Sequence, residues 1–487
     1  MQIPFGEWMP DQPEHGMKGA NVATNVYHAL GSYKRFPSLV SYTGASNVGK
    51  DAHGSGSFRD NSNTVYNFVA TKTDIHQLES GTFTSRKGSL TGNDDDFFTF
   101  TQFGQYVIVS NGVDPAQYYL MGTSTNFANL TSIQTAGTCP LFRVSGVVRD
   151  FLVTGNIANA TNRIQWSGIN DITVWSGKQS DLQDLPGSGG QIVHITSGEV
   201  GYVFRQNQIV RMDYVGGATI FRLSVISPNR GAIFGRTVCQ DNRRVFFLAD
   251  DGFYEIQGDN VVPIGVEKVN RFFDLNLNKA YSDRIVAATD PFNQLAMWLY
   301  PSVNNTNNTT GICDRIIIYN YATKKWSLAK VSASQIFPQF VGAYTVELMD
   351  IISENLEQIN ANLDTDYWNG GQMFLGGIDG DFKAAIFSGN SNECEIETAE
   401  IEAFPGARTN IQGIRPIVDA EATVTVKTRE RLADTETESS SSSMVDSGIN
   451  PVRQSGRYIR ANVKIPAGTS FDHAQGIDIV ASKAGYR

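Results

Sequence analysis

The hydrophobic pattern of this chain is a series of paired short apolar runs, each pair joined by a few turn-forming residues. Arg243 to Gly258 (RRVFFLADDGFYEIQG) shows the form most plainly: a strand, an Asp-Gly turn and a second strand. That is a strong short-range hairpin signal. The same unit is predicted at 65–78, at 105–120 with an Asn111-Gly112 turn, at 149–166, and at 200–214 around Gln206-Asn207. It continues at 284–300 around Asp290-Pro291, at 315–328 around Ala322-Thr323, and at 373–387 around Asp379-Gly380. Successive starts lie mostly about 40–50 residues apart, the period of a four-stranded propeller blade. The 284–300 and 315–328 hairpins are close enough to share one blade. The expectation is a mainly β fold: a β-propeller-like repeat domain of six or seven blades, closed so that only short edges are left. A linear stack of β-units is the alternative.

Three stretches depart from the repeat. Residues 1–62 are rich in Gly, Pro and Ser and predict an extended N-terminal arm. Tyr344 to Leu363 carries apolar residues at 348, 349, 352, 356, 359 and 363 with acids on the other face, which predicts a small inserted helix. Beyond Gly389 the pattern becomes strict alternation, as in ECEIETAEIE (393–402) and ATVTVKTR (422–429), with further strands at 457–465 and 476–481. This predicts half-buried antiparallel strands and a C-terminal β-sandwich. Ser439 to Ser443 is expected to be a flexible loop between strands. The divisions are thus 1–62 N-terminal arm or platform segment, 63–340 repeats, 341–365 acidic helical insertion, 366–392 last repeat hairpin, and 393–487 C-terminal sandwich or platform.

Composition sharpens this picture. A hydrophobic fraction of 41% suffices for real cores, and 46 Gly, 18 Tyr and 28 Phe suit turns and strands. The formal charge of −10 disfavours general binding to the outside of a DNA duplex. That charge is localised. Residues 341–402 hold 13 acids and one base, Lys383, while the rest of the chain, with 36 acids against 38 bases, is nearly neutral. Such a stretch is either a solvated acidic face or an acidic wall facing a partner. The four cysteines (139, 239, 313, 394) are far apart and form no metal or disulfide pattern; buried free thiols are expected. The N-terminus lacks the basic and apolar regions of a signal peptide, and no apolar run reaches the length of a membrane span.

Near-motifs add little chemistry. GASNVGKD (44–51) approaches a phosphate-binding loop, but Asp51 stands where a hydroxyl should hold Mg²⁺, and no helix is predicted after it. SGINDITVW (167–175) faintly resembles the Asp-box turn of sialidase-type propellers, a structural element. No two carboxylates are paired as glycoside hydrolysis requires. Asp94-Asp95-Asp96 and Asp379-Gly380-Asp381 lack a calcium-loop pattern, and the six histidines show no metal-ligand spacing. The residues give no catalytic centre, metal site or cofactor to predict.

Several stretches carry a family resemblance: PFGEWMPDQPE (4–14), NVYHALGSYKRFPSL (25–39), RDFLVTGN (149–156), RIQWSGIND (163–171), DLQDLPGSGGQIVHI (181–195), YVGG (214–217), NRGAIFG (229–235), FFLADDGFYEIQG (246–258), PIGVEKVNRFF (263–273) and GRYIRANVKIPAGTSFDHAQGIDI (456–479). Together they span nearly the whole chain. In them the chain resembles the tail hub, or tail nozzle, proteins of short-tailed bacteriophages, the group that includes the packaged-DNA-stabilisation protein of P22-like phages. The resemblance implies a structural, non-enzymatic virion protein, made in the host cytoplasm and assembled into the tail. It implies a ring, typically a hexamer, below the portal's adaptor ring. Such a ring extends the DNA conduit without sequence-specific binding, retains packaged DNA until ejection and docks a needle or fibres. The alternative is a virion-associated propeller that binds or cleaves host surface glycans. Candidate contacts to a partner or to the lumen are Phe5, Trp8 and Met9 in the arm and Glu354 and Glu357 in the acidic insertion; the alternative for the arm is docking on its own domain.

Overall fold

The computed structural model describes residues 1–485 except Leu30, residues 43–44, Ser80, Ala218, residues 306–310 and residues 341–372. Among the described residues, seven four-stranded antiparallel units follow one another. Blade 1 runs from strand Gly54–Arg59 to Thr82–Lys87, and blade 2 from Thr99–Phe103 to Ala128–Asn129. Blade 3 runs from Phe142–Val148 to Asp181–Asp184, blade 4 from Ile192–Ile195 to Phe221–Ser227, and blade 5 from Cys239–Asp241 to Asn260–Pro263. Blade 6 contains Val286–Asp290, Leu295–Tyr300, Cys313–Asn320 and the first half of the long strand Lys325–Phe340.

Blade 7 explains how the ring closes. The second half of Lys325–Phe340 pairs with Met373–Asp379, which pairs with Ala384–Gly389, and that strand pairs with Ser38–Ser41 from the start of the chain. The outermost strand of the last blade therefore comes from just before the first. Side chains seal the seam with blade 1. Ser57 Oγ accepts from the Phe340 amide at 2.7 Å, and Gln335 Nε2 donates to Ser55 Oγ at 3.1 Å. The expected propeller is present with seven blades, and the linear stack is excluded.

Each predicted hairpin lies inside a blade, with 284–300 and 315–328 both in blade 6. Inner strands such as Arg244–Ala249 are apolar on both faces because each blade is covered by a neighbour on either side. Apolar clusters fill the gaps: Phe68, Phe98, Val107 and Tyr119 between blades 1 and 2; Phe151, Val153, Ile192 and Val203 between blades 3 and 4. One local expectation changes. Ala249 pairs with Gly252, so the 243–258 turn is Asp250-Asp251, and Gly252 (φ 132°) begins the returning strand. A side chain there would overlap Asn270.

The remaining strands form a two-sheet platform. One sheet has the order Val26–Ala29, Ser32–Arg35, Ala474–Gly485, Arg408–Val418, Asn450–Gly456, with Gln2–Pro4 also on Ala474–Gly485. The other joins Ala20–Thr24, Cys394–Thr398, Tyr458–Ile465 and Thr423–Arg429. Of the two expectations for 1–62, the segment is therefore part of the platform rather than a free arm. It supplies strands to both platform sheets, the outer strand of blade 7 and the first strand of blade 1. The serine run is not a loose loop either. Ser442–Ser443 pairs with Thr423–Arg429, and the Ser439 amide donates to the Val426 carbonyl at 2.8 Å while its Oγ accepts from the Val426 amide at 3.0 Å, giving that strand edge the partners it would otherwise lack. The predicted helix 344–363 lies outside the described residues.

Platform and propeller share one apolar core. Phe253, Trp298 and Trp326 of blades 5 and 6 lie in the same buried cluster as Phe5, Trp8, Ile396, Val463 and Ile477. Phe253 sits 4.7 Å from Trp298 and 5.0 Å from Trp326, ring centre to ring centre. Both indole N–H groups find carbonyls, Thr237 O at 3.0 Å and Ile264 O at 2.9 Å, as buried tryptophans require.

Candidate functional site

Mostly the first strands of the blades and the segments leading into them surround a cavity of about 500 Å³ on the propeller axis, lined by residues of six blades and by residues 233–238, which lead into blade 5. Phe97, just before blade 2, organises its charged side. His53 stacks on Phe97 at 5.3 Å, and the Arg236 guanidinium lies over its ring at 4.1 Å. His53 Nδ1 is 2.9 Å from the Asp96 carbonyl.

Three arginines meet this region, and two have carboxylates. Arg143 Nη2 donates to Asp96 Oδ1 at 2.7 Å, and Arg284 Nη1 pairs with Asp51. Arg236 differs. Its Nη2 donates to the Gln335 side-chain oxygen, while its Nε and Nη1 are buried without a partner. Burial pushes its pKa down to about 10, so it stays a cation at neutral pH. His194, also on the wall, is pushed down to about 4 by burial and is neutral.

A second polar cluster lies on the platform. Glu397 and Glu400 are about 1–2% exposed. Glu400 takes a two-pronged contact from Arg429 at 2.5 and 2.8 Å. Glu397 accepts from Lys427 at 2.6 Å and Asn21 at 2.8 Å. Burial alone would raise the Glu397 pKa, but hydrogen bonds from Lys427, Asn21 and Asn462 and the Lys427 charge outweigh it and hold the carboxyl below its ordinary value. Arg460 bridges Glu14 at 3.2 Å, Glu397 at 3.5 Å and Glu436. Glu393 and Glu395 approach Lys464, and Glu402 pairs with Arg457 at 3.1 Å. The acids of 393–402 are thus neutralised by bases of the neighbouring strands. They form neither a solvated acidic face nor a wall open to a partner, a correction to both expectations for that part of 341–402.

The arm residues also need correcting. Phe5 and Trp8 are 1% and 2% exposed, packed within their own chain, and so present nothing to a neighbour. Trp8 donates to Asn21 O at 3.1 Å and meets Phe272 edge-on at 5.1 Å. Met9 is half-buried beside Gly19. Asp11 accepts from the Arg271 and Phe272 amides at 2.8 and 2.7 Å, satisfying free N–H groups at the start of helix Asn270–Asn276. The physical reason is simple: large apolar side chains on an extended segment gain most by entering the nearest core. Glu354 and Glu357 lie outside the described residues.

The near-motifs resolve into structural turns. After 44–51 the chain enters strand Gly54–Arg59, and Asp51 is bound to Arg284. In 167–175, Asp171 Oδ1 accepts from the Thr173 amide and hydroxyl at 2.9 and 2.6 Å, and Trp175 is buried. Asp379 Oδ1 accepts from the amides of Asp381 and Lys383. Asp94 pairs with Lys72. All four cysteines are free and buried, and burial pushes their thiol pKa values up. Among the described residues no group of His, Cys, Asp or Glu is placed to hold a metal ion, and no helix is long and apolar enough to cross a membrane. Arg236, Phe97 and Gln335 carry no local signature, because each sits in a connecting segment or strand of a different blade.

No protein-family model matches the chain, and no curated protein matches it significantly. Solved structures similar to it include a chain of the mitotic checkpoint complex, at 10% identity and TM-score 0.39, covering 74% of this chain and 96% of that one. Another is BamB from Moraxella catarrhalis, at 12% identity and TM-score 0.39, covering 74% and 95%. A third is the Neurospora crassa Pan2 WD40 domain, at 8% identity and TM-score 0.38, covering 72% and 94%. The propeller assignment itself rests on the sheet pairing described above.

Proposed function

We propose that the chain is a structural subunit of a short phage tail: a nozzle or hub protein, in a hexameric ring below the portal's adaptor. It extends the DNA conduit, retains packaged DNA, docks a needle or fibres and catalyses nothing. The observation that carries this reading, together with the family resemblance, is the shared core of propeller and platform. Both chain ends are woven into the platform, and Phe5 and Trp8 join Trp298 and Trp326 in a single buried cluster. A subunit that transmits force between a ring above and parts below needs such a shared core. A ring also requires head-to-tail contacts that close by rotation.

The test is electron microscopy of the purified protein mixed with the portal–adaptor assembly of the same phage. A sixfold ring seated on the adaptor is the expected result. A monomer that ignores the adaptor, or peripheral trimers that bind or cleave host glycans, would sink the proposal. With the acids of 393–402 paired internally, a lumen-facing acidic surface would have to come from the 341–372 segment. Charge reversal at Glu354 and Glu357 should slow DNA ejection or impair assembly, and normal ejection would count against such a surface.

A further inference from the structure

The joint between platform and propeller contains a contact that a second ring proton would break. His28, on platform strand Val26–Ala29, is 4% exposed. Its Nε2 lies 2.9 Å from Nζ of Lys325 in blade 6. An ammonium only donates, so Nε2 accepts and the single ring proton sits on Nδ1. That Nδ1 is buried without a partner, and a buried donor left unpaired is costly. Protonation of Nε2 would set one cation directly against another.

No neighbour offsets that charge. Tyr33, from the same hairpin, meets the His28 ring edge-on at 5.3 Å. His473 lies 3.1 Å from the Ser32 hydroxyl. Glu7 acts on Tyr33, and Asp290, Asp472 and Arg35 act on the adjacent Tyr27. Among the described residues none of these carboxylates pairs with His28. Burial and the Lys325 charge push its pKa down to about 4.

The contact anchors a segment with few ties to its own sheet. Hairpin Val26–Ala29 and Ser32–Arg35 joins that sheet through a single residue pair, Tyr33 with Ala474. Further anchors lie on blade 6. Asn320 Nδ2 donates to His28 O at 2.9 Å, and the Tyr27 hydroxyl donates to Asn293 Oδ1 at 3.2 Å. The chain then passes Phe36, buried among residues of blades 6 and 7, into Ser38–Ser41, the strand that closes blade 7. Loosening the hairpin therefore loosens the closure of the propeller.

We propose that His28 and Lys325 form an acid-released clasp, which holds the 26–41 segment on the propeller and lets it open as the pH falls. The clasp is independent of the tail assignment. A released histidine titrates near 6.5, so the open hairpin binds the proton more tightly than the closed one. The closed form is fully favoured above pH 6.5 and loses ground as pH falls toward 4. Between pH 7 and pH 5 the open fraction should rise about twentyfold.

The experiment is hydrogen exchange of the full chain at pH 7, 6 and 5, corrected for intrinsic exchange rates. Protection of the amides at 32–36 and 38–41 should fall about twentyfold, while Asp181–Asp184, the exposed outer strand of blade 3, keeps its protection. His28→Gln retains an acceptor for Lys325 but cannot titrate, and should abolish the fall. Lys325→Met removes the opposing charge and should shrink it. Protection that does not change between pH 7 and pH 5, an equal fall in Asp181–Asp184, or a His28→Gln chain that responds like the parent would each overturn the proposal.

Discussion

Strand Arg244–Ala249 in blade 5 is buried at every position after Arg244, whereas strand Thr423–Arg429 in the platform is buried only at every second residue. The two regions bury β-structure in different ways. A blade is sandwiched between two other blades, so both faces of its inner strands are dry. A platform sheet has one face on the core and the other free to carry charge, and there Lys427, Arg429 and Arg460 meet Glu397 and Glu400. The propeller is stabilised by apolar area gathered mostly from contiguous sequence. The platform also depends on buried ion pairs and on strands from opposite ends of the chain.

The largest expected effects come from breaking what is particular to the platform. Arg429→Met leaves Glu400 charged and enclosed, and should cost about 3–5 kcal/mol in guanidinium unfolding. Glu400→Gln added to Arg429→Met should restore much of that loss. A single variant as stable as the parent would mean that the pair contributes nothing. Trp8→Ala should cost a similar amount, about 3–5 kcal/mol, because it opens a cavity in the shared core. Loosening of the platform with an unaffected propeller, read by hydrogen exchange, would show that the two bodies are less united than their common core indicates.

Acid acts on both regions next. His194 in blade 4 has its pKa pushed down by burial to about 4, against 6.5 when unfolded. The unfolded chain therefore binds the proton more tightly between these values. Stability is full above pH 6.5 and declines as pH falls toward 4, by up to about 3 kcal/mol from this group. His194→Gln should flatten that slope in urea midpoints measured between pH 4 and 7. Glu397 acts in the platform, and its depressed pKa contributes stability that is present above the ordinary glutamate value of 4.5 and lost as pH falls through its folded value. His28 on platform strand Val26–Ala29 is likewise pushed down to about 4, by burial and by the Lys325 charge, so both regions carry a histidine term that begins at higher pH than the Glu397 term. The smallest effect is expected at Phe292, which is 80% exposed at the tip of a blade 6 turn. Phe292→Ser should change the stability of the isolated chain by less than about 0.5 kcal/mol, and a larger loss would indicate a contact made between copies.

Much of the propeller was legible along the chain. The hairpins at 65–78, 200–214 and 373–387 each fall on adjacent paired strands, because turn chemistry and a pair of apolar runs are local signals. The closing strand Ser38–Ser41 was not legible. It has a single apolar pair, Leu39-Val40, amid polar residues, and its partner lies more than 340 residues later. The placement of the arm is illegible for a related reason. Phe5 and Trp8 among prolines look exposed on an extended segment, and only the far strand Ala474–Gly485 shows where they are covered. The axial site was silent for the same physical reason: Arg236, Phe97 and Gln335 are brought together by ring closure rather than by spacing.

Local patterning along the chain sets the class of structure: paired apolar runs at blade period, then alternating strands, with near-motifs whose missing residues argue against their chemistry. These are local properties, written into neighbouring residues by strand alternation and turn preference. The count of seven blades, the joining of both chain ends in one platform, the internal pairing of the 393–402 acids and the meeting of Arg236 with Phe97 and Gln335 on the propeller axis come from the tertiary structure alone. Each depends on residues far apart in the chain, whose meeting is set by packing and closure of the ring.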